Sequence, residues 1–129
     1  MTMTTTPMLT LNDGRLMPQL GYGLWRVADD VAEASVQTAL AAGYRLIDTA
    51  KIYENEASVG RALARNDVAR DEIFLTTKLW NTDQGFDETL RAFDASAARL
   101  GVDYVDLYLI HWPAPSRDGS RPRPHPTPA

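Results

Sequence analysis

Residues 43–60 read GYRLIDTAKIYENEASVG. The run from Tyr44 to Ile47 has the apolar density of a short buried strand, yet it ends on a carboxylate, Asp48, and a tyrosine, Tyr53, follows five residues later. Residues 55–66 then take up helical spacing, with Gly60 weakening the pattern. A buried strand leading into a helix is half of a β-α-β unit, so the fold depends on whether the unit repeats.

It does repeat, on both sides. Upstream, two short apolar runs flank Asn12-Asp13-Gly14, a hairpin turn signal because Asn, Asp and Gly tolerate positive φ. PQLGYG, residues 18–23, reads as the next strand. Asp29 and Asp30 offer N-cap chemistry for a helix whose Ala32, Val36, Ala39 and Leu40 share a face, and Gly43 stops it. Downstream, EIFLTTK (72–78) is a strand. Phe86, Leu90, Phe93, Ala97 and Leu100 recur at helical spacing before Gly101, and YVDLYLIH (104–111) is the last strand.

Strands alternating with helices predict an α/β fold with a parallel sheet, either doubly wound or closed into a barrel. GYGLWR, residues 21–26, carries only the first two glycines of the dinucleotide fingerprint, which favours the barrel. The expectation is a partial (β/α)8 barrel, the first four strands of one, opened by a β-hairpin.

On a parallel sheet, Asp48, Lys78 and His111 each follow an apolar run and share the carboxyl edge, where barrel enzymes keep their active sites. Tyr53 lies in a loop leaving that edge. A phenol, with a pKa of about 10, is a weak acid at neutral pH. An ammonium at about 4 Å, with an effective dielectric near 20, stabilises a phenolate by about 4 kcal/mol. Lys78 is thus suited to make Tyr53 a general acid, Asp48 to hold Lys78 charged, and His111 to orient or polarise a carbonyl oxygen. Singly, each residue has a plainer reading as a solvated strand end, a packing histidine or a loop tyrosine. Trp25, Trp80 and Trp112 are core residues or, following closely on strand ends, the rim of a pocket.

Composition narrows the classes. The chain has 129 residues, 44% hydrophobic and 23% charged, which fits one globular domain. Its net charge of −4 is spread over both signs, so no basic stripe favours nucleic acid. There is no cysteine, hence no disulfide or thiolate site, and no metal site is expected. No run approaches the roughly 18 apolar residues of a membrane span, and MTMTTTPM is not a signal peptide, so a soluble, cytoplasmic protein is expected.

GYRLIDTAKIYENEASVG resembles the signature segment of the aldo-keto reductases, and IFLTTKLW (73–80) and DLYLIHWP (106–113) resemble the two segments that follow it. Within the family the likeness is greatest to the bacterial 2,5-diketo-D-gluconate reductases, through LNDG, PQLGYG and TTKLWN. The resemblance implies NADPH-dependent reduction of an aldehyde or ketone, a sugar-derived keto acid among the candidates, on a (β/α)8 barrel. It implies a catalytic tetrad of Asp48, Tyr53, Lys78 and His111, with Tyr53 as proton donor. It also implies substrate and nicotinamide contacts at Trp25 and Trp80, with Trp112 beside them, and cofactor contacts at Gly23, Leu24, Asp48 and His111. Leu24 stands where many members have Thr, and Lys51 where Ala is common.

A full barrel needs about 250 residues, and this chain supplies four strands. Six of its eight prolines fall in residues 113–129, where a helix or strand cannot continue. The expected division is a half-barrel over 1–115 and a disordered Pro/Arg-rich tail over 116–129, with the look of a frameshift or truncation. Open sheet edges then favour self-association. Three readings follow: a reductase by family whose chain alone is weakly active or inactive, a half-barrel that pairs into a whole one, and a non-catalytic interaction protein.

Overall fold

The computed structural model describes residues 6–113. The expected tail over 116–129 lies outside the described residues. A hairpin opens the structure: β1 (Met8–Thr10) and β2 (Leu16–Pro18) pair antiparallel, Leu9 opposite Met17. The turn between them carries Gly14 at φ 85°, a conformation that glycine adopts without steric cost.

Four parallel strands follow in sheet order: β3 (Gly21–Gly23), β4 (Leu46–Asp48), β5 (Phe74–Leu79) and β6 (Leu107–Ile110). Between them run α1 (Asp29–Ala41), α2 (Glu56–Ala64) and α3 (Phe86–Leu100). Chain order equals sheet order, so the sheet winds in one direction as a barrel wall does. The partial barrel expected from sequence is the observed architecture.

Register explains the two faces. Tyr22, Ile47 and Leu75 are paired across β3, β4 and β5, and all three turn outward into the layer under the helices. There they meet Val36 and Leu40 of α1, Val59 and Ala62 of α2, and Leu100 of α3. Each fully buried branched side chain of this kind contributes about 1.5–3 kcal/mol. The neighbouring positions Gly23, Asp48 and Thr76 are likewise in register and face the other side.

Gly60 has a packing reason. A Cβ there would lie 2.6 Å from the Leu100 carbonyl oxygen, so the glycine lets α2 and the end of α3 approach closely. Glu56, 2% exposed, ties the same layers together. It accepts hydrogen bonds from Thr77 of β5 (2.8 Å) and from Ser96 and Arg99 of α3 (3.3 and 2.8 Å).

One local expectation is corrected. Asp29 and Asp30 lie inside the first turn of α1, where they favour the helix dipole; the cap position is Ala28, with no side-chain cap bond. Asp29 is instead the acceptor for the Ser58 hydroxyl of α2. The apolar stripe of α3 is buried only toward its end: Leu100 is covered and Phe93 packs on Tyr108, but Phe86 is 84% exposed and Leu90 is exposed. Nothing among the described residues covers that first turn. No helix among the described residues is long and apolar enough to cross a membrane.

Candidate active site

The sheet delivers its polar residues to one edge. Asp48 is the last residue of β4, Lys78 the penultimate residue of β5, and His111 directly follows β6. Tyr53 ends a single 3-10 turn, Lys51–Tyr53, that leaves β4. All four expected catalytic residues are therefore brought together.

Lys78 is the hub. Its Nζ donates to both carboxylate oxygens of Asp48 (2.8 and 2.7 Å), to the Thr49 carbonyl (3.0 Å) and to Tyr53 Oη (3.4 Å). The lysine side chain is only 14% exposed, so its charge has left most of its water and is held by Asp48 instead. A proton lost from Tyr53 would leave its negative charge beside that ammonium.

His111 completes the group, its ring 5.7 Å from that of Tyr53 and nearly perpendicular to it. Burial holds the imidazole below the ordinary histidine range; the Lys78 ammonium lowers it further, and the Asp48 carboxylate partly opposes both. The ring is thus neutral at neutral pH. Nδ1 is buried with no hydrogen-bond partner among the described residues, which leaves Nε2 as the nitrogen for a ligand.

The aromatic residues divide. Trp80 and Trp112 stand around His111 at 5.3 and 5.9 Å between ring centroids, and 5.7 Å from one another. Trp25 is outside this cluster, 66% exposed, with the Arg26 guanidinium over its ring at 4.6 Å.

Leu24, expected to contact the cofactor, faces the core. Its side chain is completely buried in the helix-side core, its N–H donates to the Asp48 carbonyl and its own carbonyl accepts from Asn55. Only its neighbour Gly23 presents an open surface: a Cβ there would meet nothing within 4 Å, and the residue is in register with Asp48.

Sequence reasoning missed two residues beside the site and one in the layer beneath it. Lys51, seen only as a departure from the family pattern, pairs with Asp83 and so ties the Tyr53 turn to the loop after β5. Asn55 and Glu56 open the stretch of helical spacing, and both are buried and fully engaged. An adjacent polar pair leading straight into Ala57-Ser58-Val59 was the available signal. Hollow space gave no guidance: a cavity of about 670 Å³ lies at the opposite end of the sheet, lined by Met8, Leu16, Pro18, Arg45, Phe74 and Asp106. The four polar side chains gather instead at the carboxyl edge.

Comparison with known proteins agrees with this geometry. Residues 18–121 match the model of the Aldo/keto reductase family. The methylglyoxal reductase DkgA of Yersinia pestis is 55% identical over 116 residues, covering 90% of this chain and 41% of that protein. The crystal structure of an aldo/keto reductase from Brucella melitensis superposes with a TM-score of 0.87 at 58% identity, over 92% of this chain and 45% of that one. The aldo-keto reductase of Bombyx mori, solved in complex with NADP, gives a TM-score of 0.82 at 40% identity, over 93% and 43%. The chain spans about two fifths of the curated relatives it matches.

Proposed function

The chain belongs to the aldo/keto reductase family, an oxidoreductase family, and from that premise we propose that its carboxyl-edge constellation reduces a small aldehyde or ketone to an alcohol with NADPH. The observation that carries the proposal is the position of Lys78 Nζ, bound to both oxygens of Asp48 and 3.4 Å from Tyr53 Oη.

In this reading Tyr53 gives its phenolic proton to the carbonyl oxygen, and Lys78 stabilises the phenolate left behind. Asp48 holds the ammonium in place through both carboxylate oxygens. Neutral His111 donates through Nε2 to the same oxygen and orients it. Trp80, Trp112 and Trp25 form the walls against which the rest of the substrate packs.

The residues fit the nicotinamide end of the cofactor. The open surface of Gly23, beside Asp48 in register, lets a flat ring approach the backbone, and His111 lies on the same edge. Gly23, Asp48 and His111 would hold it. When bound, NADPH supplies the hydride for the carbonyl carbon, so that one hydride and one proton add across the C=O bond. NADP in the Bombyx mori structure supports this cofactor, and the Yersinia pestis relative supports small dicarbonyls such as methylglyoxal as the substrate class, beside sugar-derived keto acids.

The test is NADPH oxidation dependent on methylglyoxal, by the chain and by Tyr53→Phe. The variant keeps the ring and lacks the proton, so the rate should fall by about 10²–10⁴-fold. Equal rates would end the proposal.

One observation favours a second reading. Among the described residues β3 and β6 each leave one sheet edge unpaired, and Leu109, Ile110 and Trp112 are exposed near β6, as Phe86 and Leu90 are on α3. Such edges favour pairing with another chain. On this reading the chain is a non-catalytic half-barrel that self-associates. Light scattering decides it: a monomer that turns over substrate would exclude it.

A further inference from the structure

We propose that Asn55 is a positioning residue for this site, joining the turn that carries Trp25 to the strand end that carries Asp48 and holds Lys78. The inference rests on the reading of that edge as the carbonyl-reducing site.

Asn55 is completely buried, and its side-chain amide bonds toward that edge. Its Oδ1 accepts from Thr49 Oγ1 at 2.7 Å, and its Nδ2 donates to the carbonyls of Leu24 at 3.1 Å and Val27 at 3.0 Å. Backbone carbonyls can only accept, so the orientation of the amide is fixed by its partners. Thr49, whose hydroxyl meets Asn55, offers its own carbonyl to Lys78 at 3.0 Å. An unbroken series of hydrogen bonds thus runs from Lys78 through Thr49 and Asn55 to both ends of the Leu24–Val27 turn.

That turn needs a clamp. It is closed by the Val27 N–H donating to the Leu24 carbonyl at 3.1 Å, and its third residue, Arg26, has φ 60°. Left-handed backbone is strained for an arginine, and such strain persists where surrounding structure holds it. Among the described residues only one other non-glycine residue has positive φ: Glu54 at 58°, directly between Tyr53 and Asn55. The two strained positions therefore flank Trp25 and Tyr53, and Asn55 touches both segments. An ordinary core residue at position 55 would fill the same space without supplying two donors to the Leu24–Val27 turn and an acceptor to Thr49 at the end of β4.

The test uses the full ¹⁵N-labelled chain, reading amide exchange and the Trp25 indole signal by NMR, so it does not depend on turnover. Asn55→Ala should speed exchange of the Val27 amide by about tenfold and move the Trp25 indole signal, while amides of α3 keep their rates. Adding Arg26→Gly, which removes the backbone strain, should restore the protection of Val27. Should Asn55→Ala not fold, Thr49→Val removes only the hydroxyl and should give the same pattern at about threefold. An unchanged Val27 amide, or equal loss of protection through all three helices, would overturn the proposal. Failure of the carbonyl-reductase reading would show instead as turnover unaffected by Tyr53→Phe, with these exchange patterns intact.

Discussion

The helix-side layer and the carboxyl edge of the sheet are built from the same strands by opposite rules. In the layer, alternate residues such as Ile47 and Leu75 are completely buried, and a buried charge is tolerated only with partners, as Glu56 has in Thr77, Ser96 and Arg99. At the edge, one residue further along β4, Asp48 is partly exposed and Lys78 has given up much of its water to bind it. The difference is one of place: Glu56, at the start of α2, is bonded into the layer, whereas Asp48 and Lys78, near the ends of β4 and β5, meet beside Tyr53. Burial alone does not distinguish Glu56 from Lys78; what each partner leaves free does. Glu56 has its partners among groups of the fold, whereas the Lys78 ammonium also reaches Tyr53 Oη.

Variants on either side can break or sharpen that contrast. The largest expected effect on stability is in the layer: Arg99→Leu strands the Glu56 carboxylate with two hydroxyls and should cost about 3 kcal/mol in urea unfolding. The Lys78–Asp48 pair should be untouched. Tyr108 lies on the same side, its hydroxyl buried without a partner among the described residues and its pKa pushed up to about 12, chiefly by burial. Tyr108→Phe removes an unpaired polar group and should raise stability by about 1 kcal/mol.

At the edge the effects are smaller and depend on conditions. His111 ionises below its ordinary range when folded, so its proton is bound more readily by the unfolded chain. Its contribution to stability is present above the unfolded value of about 6.5 and is lost as pH falls below it toward the folded value. Between about pH 7.5 and 5.5 the urea midpoint should drop for the wild type, and drop less for His111→Asn. Smallest of all, Lys51→Ala removes a partly exposed ion pair with Asp83 and should cost less than about 1 kcal/mol in the same unfolding measurement.

Much of this was legible in the sequence because the layer obeys periodicity. The spacing of Ala32, Val36, Ala39 and Leu40 gave the buried face of α1 without error. The edge was legible where a charge interrupts an apolar run, as at Asp48 and Lys78. What could not be read depends on neighbours far along the chain. Phe86 and Leu90 continue a helical stripe that nothing among the described residues covers. Leu24 is turned into the core by a strand only three residues long. Asn55 is indistinguishable in sequence from a solvated helix start, because its partners at Leu24 and Val27 lie 31 and 28 positions away.

The most direct measurement of the central claim, that Tyr53 and Lys78 act as one proton-donating unit, is a double-mutant cycle on NADPH-dependent reduction of methylglyoxal. Residues that act as a unit lose about as much singly as together. Tyr53→Phe, Lys78→Met and the double variant should all fall to the same low rate. Losses that multiply, or rates equal to the wild type, would contradict it.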